Sequence, residues 1–196
     1  MIFLKEGLIN YYRKAVSSGK WFTRQAENPE AYIASFDAVQ VYIDHYGLSP
    51  GVAGDPSRSA PVWDDERRAW DIFLESPRTE SPAVLSLTDK GVTVSWLKTT
   101  PVPFEGTTAM ADSTDSVSFY GDQISGQITD ILVAGDVVDT VGTFFTPDGI
   151  SLSDGGTTQF PPNASAADKL RICFMVQDVA YSNAASKLRS TAHGRQ

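Results

Sequence analysis

The sequence predicts an α+β fold: an N-terminal helical region of about three helices followed by an antiparallel β-sandwich or barrel of about seven or eight strands. One contrast carries most of that reading. Residues 1–76 place apolar side chains at helical spacing, whereas residues 82–181 break into short apolar runs divided by glycine, proline and aspartate. Composition agrees, because 196 residues with 41% hydrophobic and 20% charged content can bury a core without disulfides or metal. The implied division is a helical region at 1–78, a sandwich or barrel at 79–181, and an extended basic tail at 182–196.

The first helix follows from Leu4, Leu8, Tyr11 or Tyr12, and Ala15, with "SSG" at 17–19 as its stop. A second helix is expected over 29–46. Asn28 is a good N-cap, Pro29 suits the first helical position, and Gly47 with Pro50 ends the run. Tyr32, Ile33, Phe36, Val39, Ile43 and Tyr46 form its apolar stripe, which should pack on the sheet or on the next helix. After the breaker-rich loop "LSPGVAGDPSRSAP" comes "PVWDDERRAW" at 61–70. Asp64, Asp65 and Glu66 suit the positive end of a helix dipole. Asp64 with Arg68 and Arg67 with Asp71 are spaced as i,i+4 pairs, and Trp63, Trp70, Phe73 and Leu74 would share one face. This stretch predicts a third helix over 64–75, closed by Ser76-Pro77. No histidine or further carboxylate run lies nearby to complete a metal site.

In the second half, "AVLSL" and "VTVSWL" flank "TDKG" as a hairpin with Val92, Val94 and Trp96 on one face. A connection over 98–115 leads to "SVSFY", "QISGQITDILVA" and "VVDTVGTFF", separated by Gly121-Asp122 and Gly135-Asp136. "TPDG" at 146–149 is a turn, followed by "ISL" and the turn "SDGG". "LRICFMVQDVAY" predicts a last strand, with Ile172, Phe174 and Val176 on one face and Cys173 and Met175 on the other, buried from both sides. The tail "SNAASKLRSTAHGRQ" has little to bury and is expected to be extended unless a partner orders it.

Residue types that carry catalysis are scarce. His45 falls in the last turn of the second helix, where it suits the dipole, and His193 lies in the tail. A serine or cysteine nucleophile would need one of them as its base. Cys173, the sole cysteine, is expected in the core and rules out an intramolecular disulfide. Carboxylate pairs need no histidine, so an aspartate-based hydrolase is kept as an alternative, with Asp112, Asp115, Asp122, Asp130, Asp136, Asp139, Asp148 and Asp154 its candidates by abundance. Most of these sit at turns, where aspartate belongs for backbone reasons. "DGISLSDGG" lacks the spacing and closing glutamate of a calcium loop, and "GDQISG" lacks the lysine of a phosphate loop. No catalytic residue, cofactor or metal is expected. The start "MIFLKEGLIN" is interrupted too early for a signal-peptide core, and no run approaches the roughly 20 apolar residues of a membrane span, so no membrane partner is expected.

Charge layout is the most informative feature. Residues 1–25 carry Lys5, Arg13, Lys14, Lys20 and Arg24 against Glu6, a net +4. Residues 179–196 carry Lys187, Arg189 and Arg195 with no acid, a net +3. Residues 26–178 hold 8 basic and 23 acidic residues, a net −15. Basic ends on an acidic body favour contacts with neighbouring copies, or with a packaged polyanion. Tyr11, Tyr12, Trp21 and Phe22 interleave with the N-terminal cations, a pattern that stacks bases in some nucleic-acid binders and elsewhere is the buried side of an amphipathic element. Arg13, Lys14, Lys20, Arg24, Lys187, Arg189 and Arg195 are therefore the candidate contacts to nucleic acid or to neighbouring subunits. The expectation is a non-catalytic structural subunit that self-assembles as a homo-oligomer, of the viral or phage coat kind by analogy of parts, located in a virion if viral and cytoplasmic otherwise. A β-sandwich binding module of spike or carbohydrate-binding type, presenting Trp96 or loop aromatics, is the alternative.

Overall fold

The computed structural model describes residues 3–19, 29–50, 61–76, 79–96, 102–104, 107–109, 115–134 and 137–193. Among them are helices α1 (Phe3–Ser17), α2 (Pro29–Tyr46) and α3 (Ala166–His193). The strands begin with β1 (Ser49–Pro50), β2 (Val62–Asp64), β3 (Ala69–Ser76), β4 (Thr79–Thr88) and β5 (Gly91–Trp96). They continue with β6 (Val102–Phe104), β7 (Thr107–Ala109), β8 (Ser116–Tyr120), β9 (Gln123–Ala134), β10 (Val137–Phe145), β11 (Gly149–Leu152) and β12 (Thr157–Gln159).

The mixed α+β class holds, but the strands form one open antiparallel sheet, where two packed sheets or a closed barrel were expected. Its order is β1-β3-β4-β5-β8-β9-β10-β11-β12, with β2 beside β3 and the β6–β7 hairpin attached to β9. Sequence neighbours mostly lie side by side, the economical path for a chain joined by short turns. Period-2 alternation sorts the side chains. Ile72, Leu85, Val94 and Val117 stand in one row across β3, β4, β5 and β8, all buried. One residue along, Ser86, Thr93, Ser118 and Ser125 make a row on the opposite face. Helices cover the apolar row: α2 packs on β5 and β8, α3 on α2, β9 and β10, and α1 on α2. They occupy the place that a second sheet would take in a sandwich.

Helix α2 matches its expected range, and its stripe of Tyr32, Phe36, Val39 and Ile43 is buried against the sheet. The helix stops where Gly47 takes a φ of 63°, and Leu48 N–H bonds back to the Ile43 carbonyl at 3.0 Å. The N-cap expected at Asn28 lies outside the described residues. Buried polar atoms fix α2 over two hairpins. The Tyr32 hydroxyl donates between the carbonyls of Thr88 (2.7 Å) and Gly91 (3.0 Å), and Ser35 Oγ accepts the Gly121 N–H at 2.7 Å. Burial, with a smaller contribution from Tyr12, raises the Tyr32 hydroxyl pKa well above the usual tyrosine value. On β5, Trp96 donates its indole N–H to the Tyr42 hydroxyl at 2.9 Å.

Three expectations are corrected. The third helix over 64–75 is instead a β-hairpin, pairing Val62 with Asp71, Trp63 with Trp70 and Asp64 with Ala69. Two helices, not three, therefore precede the sheet among the described residues. The Asp64 carboxylate accepts the N–H groups of Glu66 (3.0 Å) and Arg67 (3.1 Å), closing a turn in which Arg68 has a φ of 51°. The two tryptophans face each other across the strands with ring centroids 5.4 Å apart. Arg67 does reach Asp71 at 2.7 Å, but across the sheet surface, where it also donates to Ser86 Oγ at 2.9 Å.

The expected last strand at 170–181 is the second and third turns of α3 and beyond. Leu170, Cys173, Phe174 and Gln177 are buried at i, i+3, i+4 and i+7, which is a helical stripe and not a two-sided strand. Residues 182–193 of the tail, expected to be extended, complete the same helix. Elsewhere the reading holds: the 83–96 hairpin buries Val92, Val94 and Trp96, and β8 to β11 fall on the runs read as strands. The 98–115 connection contains the short β6–β7 hairpin.

Candidate assembly surface

Helix α3 begins where Ser165 Oγ accepts the Asp168 N–H at 3.2 Å. Its first three turns are fastened to the body. Lys169 Nζ donates to the carbonyls of Asp122 (3.0 Å) and Pro147 (3.2 Å) and sits 5.6 Å from the centre of the Phe160 ring. Phe174 stacks on His45 at 3.6 Å between ring centroids, joining α3 to the end of α2. After Gln177 no described side chain of α3 is fully buried, so the second half of the helix lies against the body only in part.

The outward side of α3 carries the two most exposed large apolar side chains among the described residues. Met175 is 67% exposed and Val179 61%, one turn apart, and Ile172 next to them is partly exposed. Asp168 and Arg171 pair at 2.8 Å near the start of this face, both well exposed. Farther along, Lys187 and Arg189 are exposed, and the described residues from 179 onward include no acid. Along this face the helix runs from Asp168 through an apolar centre, flanked by exposed Arg171 and Asp178, to a basic end.

Of the residues chosen from sequence, Arg13 and Lys14 are exposed on α1, and Lys187 and Arg189 are exposed on α3. Lys20, Arg24 and Arg195 lie outside the described residues, as do Trp21 and Phe22. Tyr12 faces inward, stacked on Tyr32 at 4.6 Å, so it is core and unavailable to stack a base. Trp96, the aromatic offered for ligand binding, is likewise buried at 2% exposure. Asp168, Met175 and Val179 are not among the sequence candidates, because a strand covered on both faces would leave none of them on a free surface. The signal was present in Ser165 followed three residues later by Asp168, a helix-start pattern.

Several groups able to do chemistry are engaged in packing or turns, while Asp122 and Asp148 are exposed. His45 sits in the last turn of α2 and stacks on Phe174, and the fully buried Cys173 has its thiol pushed well above its usual range by burial. Asp64 and Asp154 accept backbone N–H groups in turns. Asp115 is fully buried, its carboxylate accepting the Thr129 N–H and, at 3.4 Å, the Gln127 amide. Asp130 and Asp139 lie on β9 and β10, while Asp112 and Asp136 fall outside the described residues. Among the described residues no three His, Cys, Asp or Glu side chains gather as metal ligands, and no helix is long and apolar enough to cross a membrane.

Thiol labelling of the native protein is expected to be slow even at about pH 8–9, because the thiolate is the reactive species and burial disfavours it. Cys173→Ala should cost about 1 kcal/mol and leave self-association unchanged. Labelling as fast as that of the denatured chain would overturn this placement.

No protein-family model, curated protein or solved structure matches the chain.

Proposed function

We propose that the chain is a non-catalytic structural subunit that assembles with copies of itself, of the kind that builds viral or phage particles, and that it works within such a particle. The observation that carries this reading is α3: a 28-residue helix whose outward face exposes Met175 and Val179 and whose basic end accompanies an acidic body. Engagement of His45 and Cys173 in packing supports the absence of nucleophilic catalysis. Exposed Arg13, Lys14 and Lys187 are among the described cations that can face a neighbouring copy or a polyanion.

Removing residues 182–196 should leave the sheet folded, since no described side chain there is fully buried, and should weaken self-association. Raising salt from about 0.1 M to about 1 M shortens the screening length from about 10 Å to about 3 Å and should weaken it as well. Analytical ultracentrifugation of both forms checks this, and a high absorbance at 260 nm relative to 280 nm would identify nucleic acid as the bound polyanion. A protein that stays monomeric at high concentration and carries no nucleic acid would falsify the assembly reading. A binding module would then be the better account, with the hydroxyl-rich sheet face around Thr93, Ser118 and Ser125 as its ligand surface.

A further inference from the structure

Resting on the assembly reading, we infer that two copies of the chain pair through the outward faces of α3, with the helices antiparallel about a twofold axis near residue 177. At 100° per residue, Ile172, Met175 and Val179 lie on the side of α3 opposite Leu170, Cys173, Phe174 and Gln177, which bind the body. A second helix can therefore reach the apolar centre without displacing any part of the core. Ser182 and Ser186 continue the same face, and their small side chains allow a helix to approach along it.

Charge on this helix is mixed, with Arg171 and Asp178 exposed between Asp168 and Lys187. An antiparallel second copy is the arrangement that keeps Asp168 and Lys187 from facing their own copies. In an antiparallel pair centred on Met175 and Val179, each Met175 meets Val179 of the partner subunit. Asp168 then meets Ser186 of the partner subunit, one residue from the partner's Lys187 and three from the partner's Arg189. The twofold repeats this match at the other end. A parallel pair would set Lys187 and Arg189 against their own copies, and Asp168 against its own. Asp168 already bonds Arg171 at 2.8 Å, but that pair is exposed and an exposed pair contributes little, so it can be exchanged on association. A twofold contact of this kind uses one patch twice and closes on itself as a dimer, so a larger particle would need a second contact elsewhere on the chain.

Sedimentation of the full chain tests the pairing. Met175→Asp with Val179→Asp should raise the dimer dissociation constant by at least about tenfold, as expected when a central apolar anchor is lost. Both positions are exposed, so the variant should keep its circular dichroism and melting temperature. Asp168→Lys alone and Lys187→Glu alone should each weaken the pair by about threefold to tenfold, and the two together should restore it. The register has its own readout: mixing Met175→Cys and Val179→Cys copies should enrich the mixed disulfide over either homodimer. Oligomers that ignore the double aspartate substitution, or charge variants without rescue, would overturn the pairing and leave the assembly reading standing. A wild-type chain that is monomeric at every concentration would overturn both.

Discussion

Phe36→Ala is expected to lower the stability of the fold by about 3–5 kcal/mol, the range for deleting a large buried aromatic side chain. Phe36 is fully buried in the second turn of α2, edge-on to Tyr32 at 5.6 Å and to Tyr12 at 6.4 Å between ring centroids. It thus joins α1, α2 and the sheet, and the void left by alanine is walled by side chains already in use elsewhere. Tyr32 cannot follow into the gap without giving up its hydrogen bonds to the Thr88 and Gly91 carbonyls. Urea denaturation should show a lower midpoint at unchanged slope. A loss under about 1 kcal/mol would mean that the surroundings collapse onto the site or that this face of α2 is not core.

Gly126→Ala is the second large effect, about 3 kcal/mol or more, because strain and collision add. Gly126 stands in β9 between Val117 and Phe145 with a φ of 144°, in the region that side-chain-bearing residues avoid. A Cβ there would run into the Ser116 carbonyl oxygen and lie 2.7 Å from the Val117 Cα, both backbone atoms of a central strand. Gly155→Ala is the control. Its φ of 92° carries strain, yet nothing lies within 4 Å of the added carbon, so about 1–2 kcal/mol should be lost. Equal losses at the two positions, measured by thermal or urea unfolding, would show that collision contributes nothing at Gly126.

Where the sequence was legible, one local signal had no rival. The 29–46 helix combines a proline start, a glycine stop and an unbroken stripe, and the 83–96 hairpin combines alternation with a turn. Where it was misread, two signals competed. In 62–76 the acidic triplet and the seven-residue spacing of Trp63 and Trp70 suggested a helix start. Alternation from Trp70 to Glu75 was present at the same time, with Asp71 and Glu75 facing out and only Phe73 breaking the polar face. Hairpin pairing decided the outcome, since a Trp63–Trp70 cross-strand contact is available to the strand form and Asp64 closes its turn. In 170–181 the run of apolar residues fits either period, and length should have arbitrated: with residues 182–193 continuing it, the segment is far too long for a strand. The same error hid the candidate surface. Met175 was placed inside a sheet, so its exposure was invisible, whereas the basic residues at 187 and 189 were found because net charge needs no structural assignment.

Helix α3 follows every described strand, yet it packs over β9 and β10 and is fastened by Lys169 to two of the sheet's turns. On the ribosome, the strands are therefore made before their cover. Until residues 166–177 emerge, the inward side chains of β9 and β10, Ile128 and Phe145 among them, present a sticky apolar surface to solvent or to a second nascent chain. The growing polypeptide is a natural client for a chaperone over that interval. Translation that stalls between β12 and α3 would prolong it, turning a delay in synthesis into aggregation without any change in the finished protein.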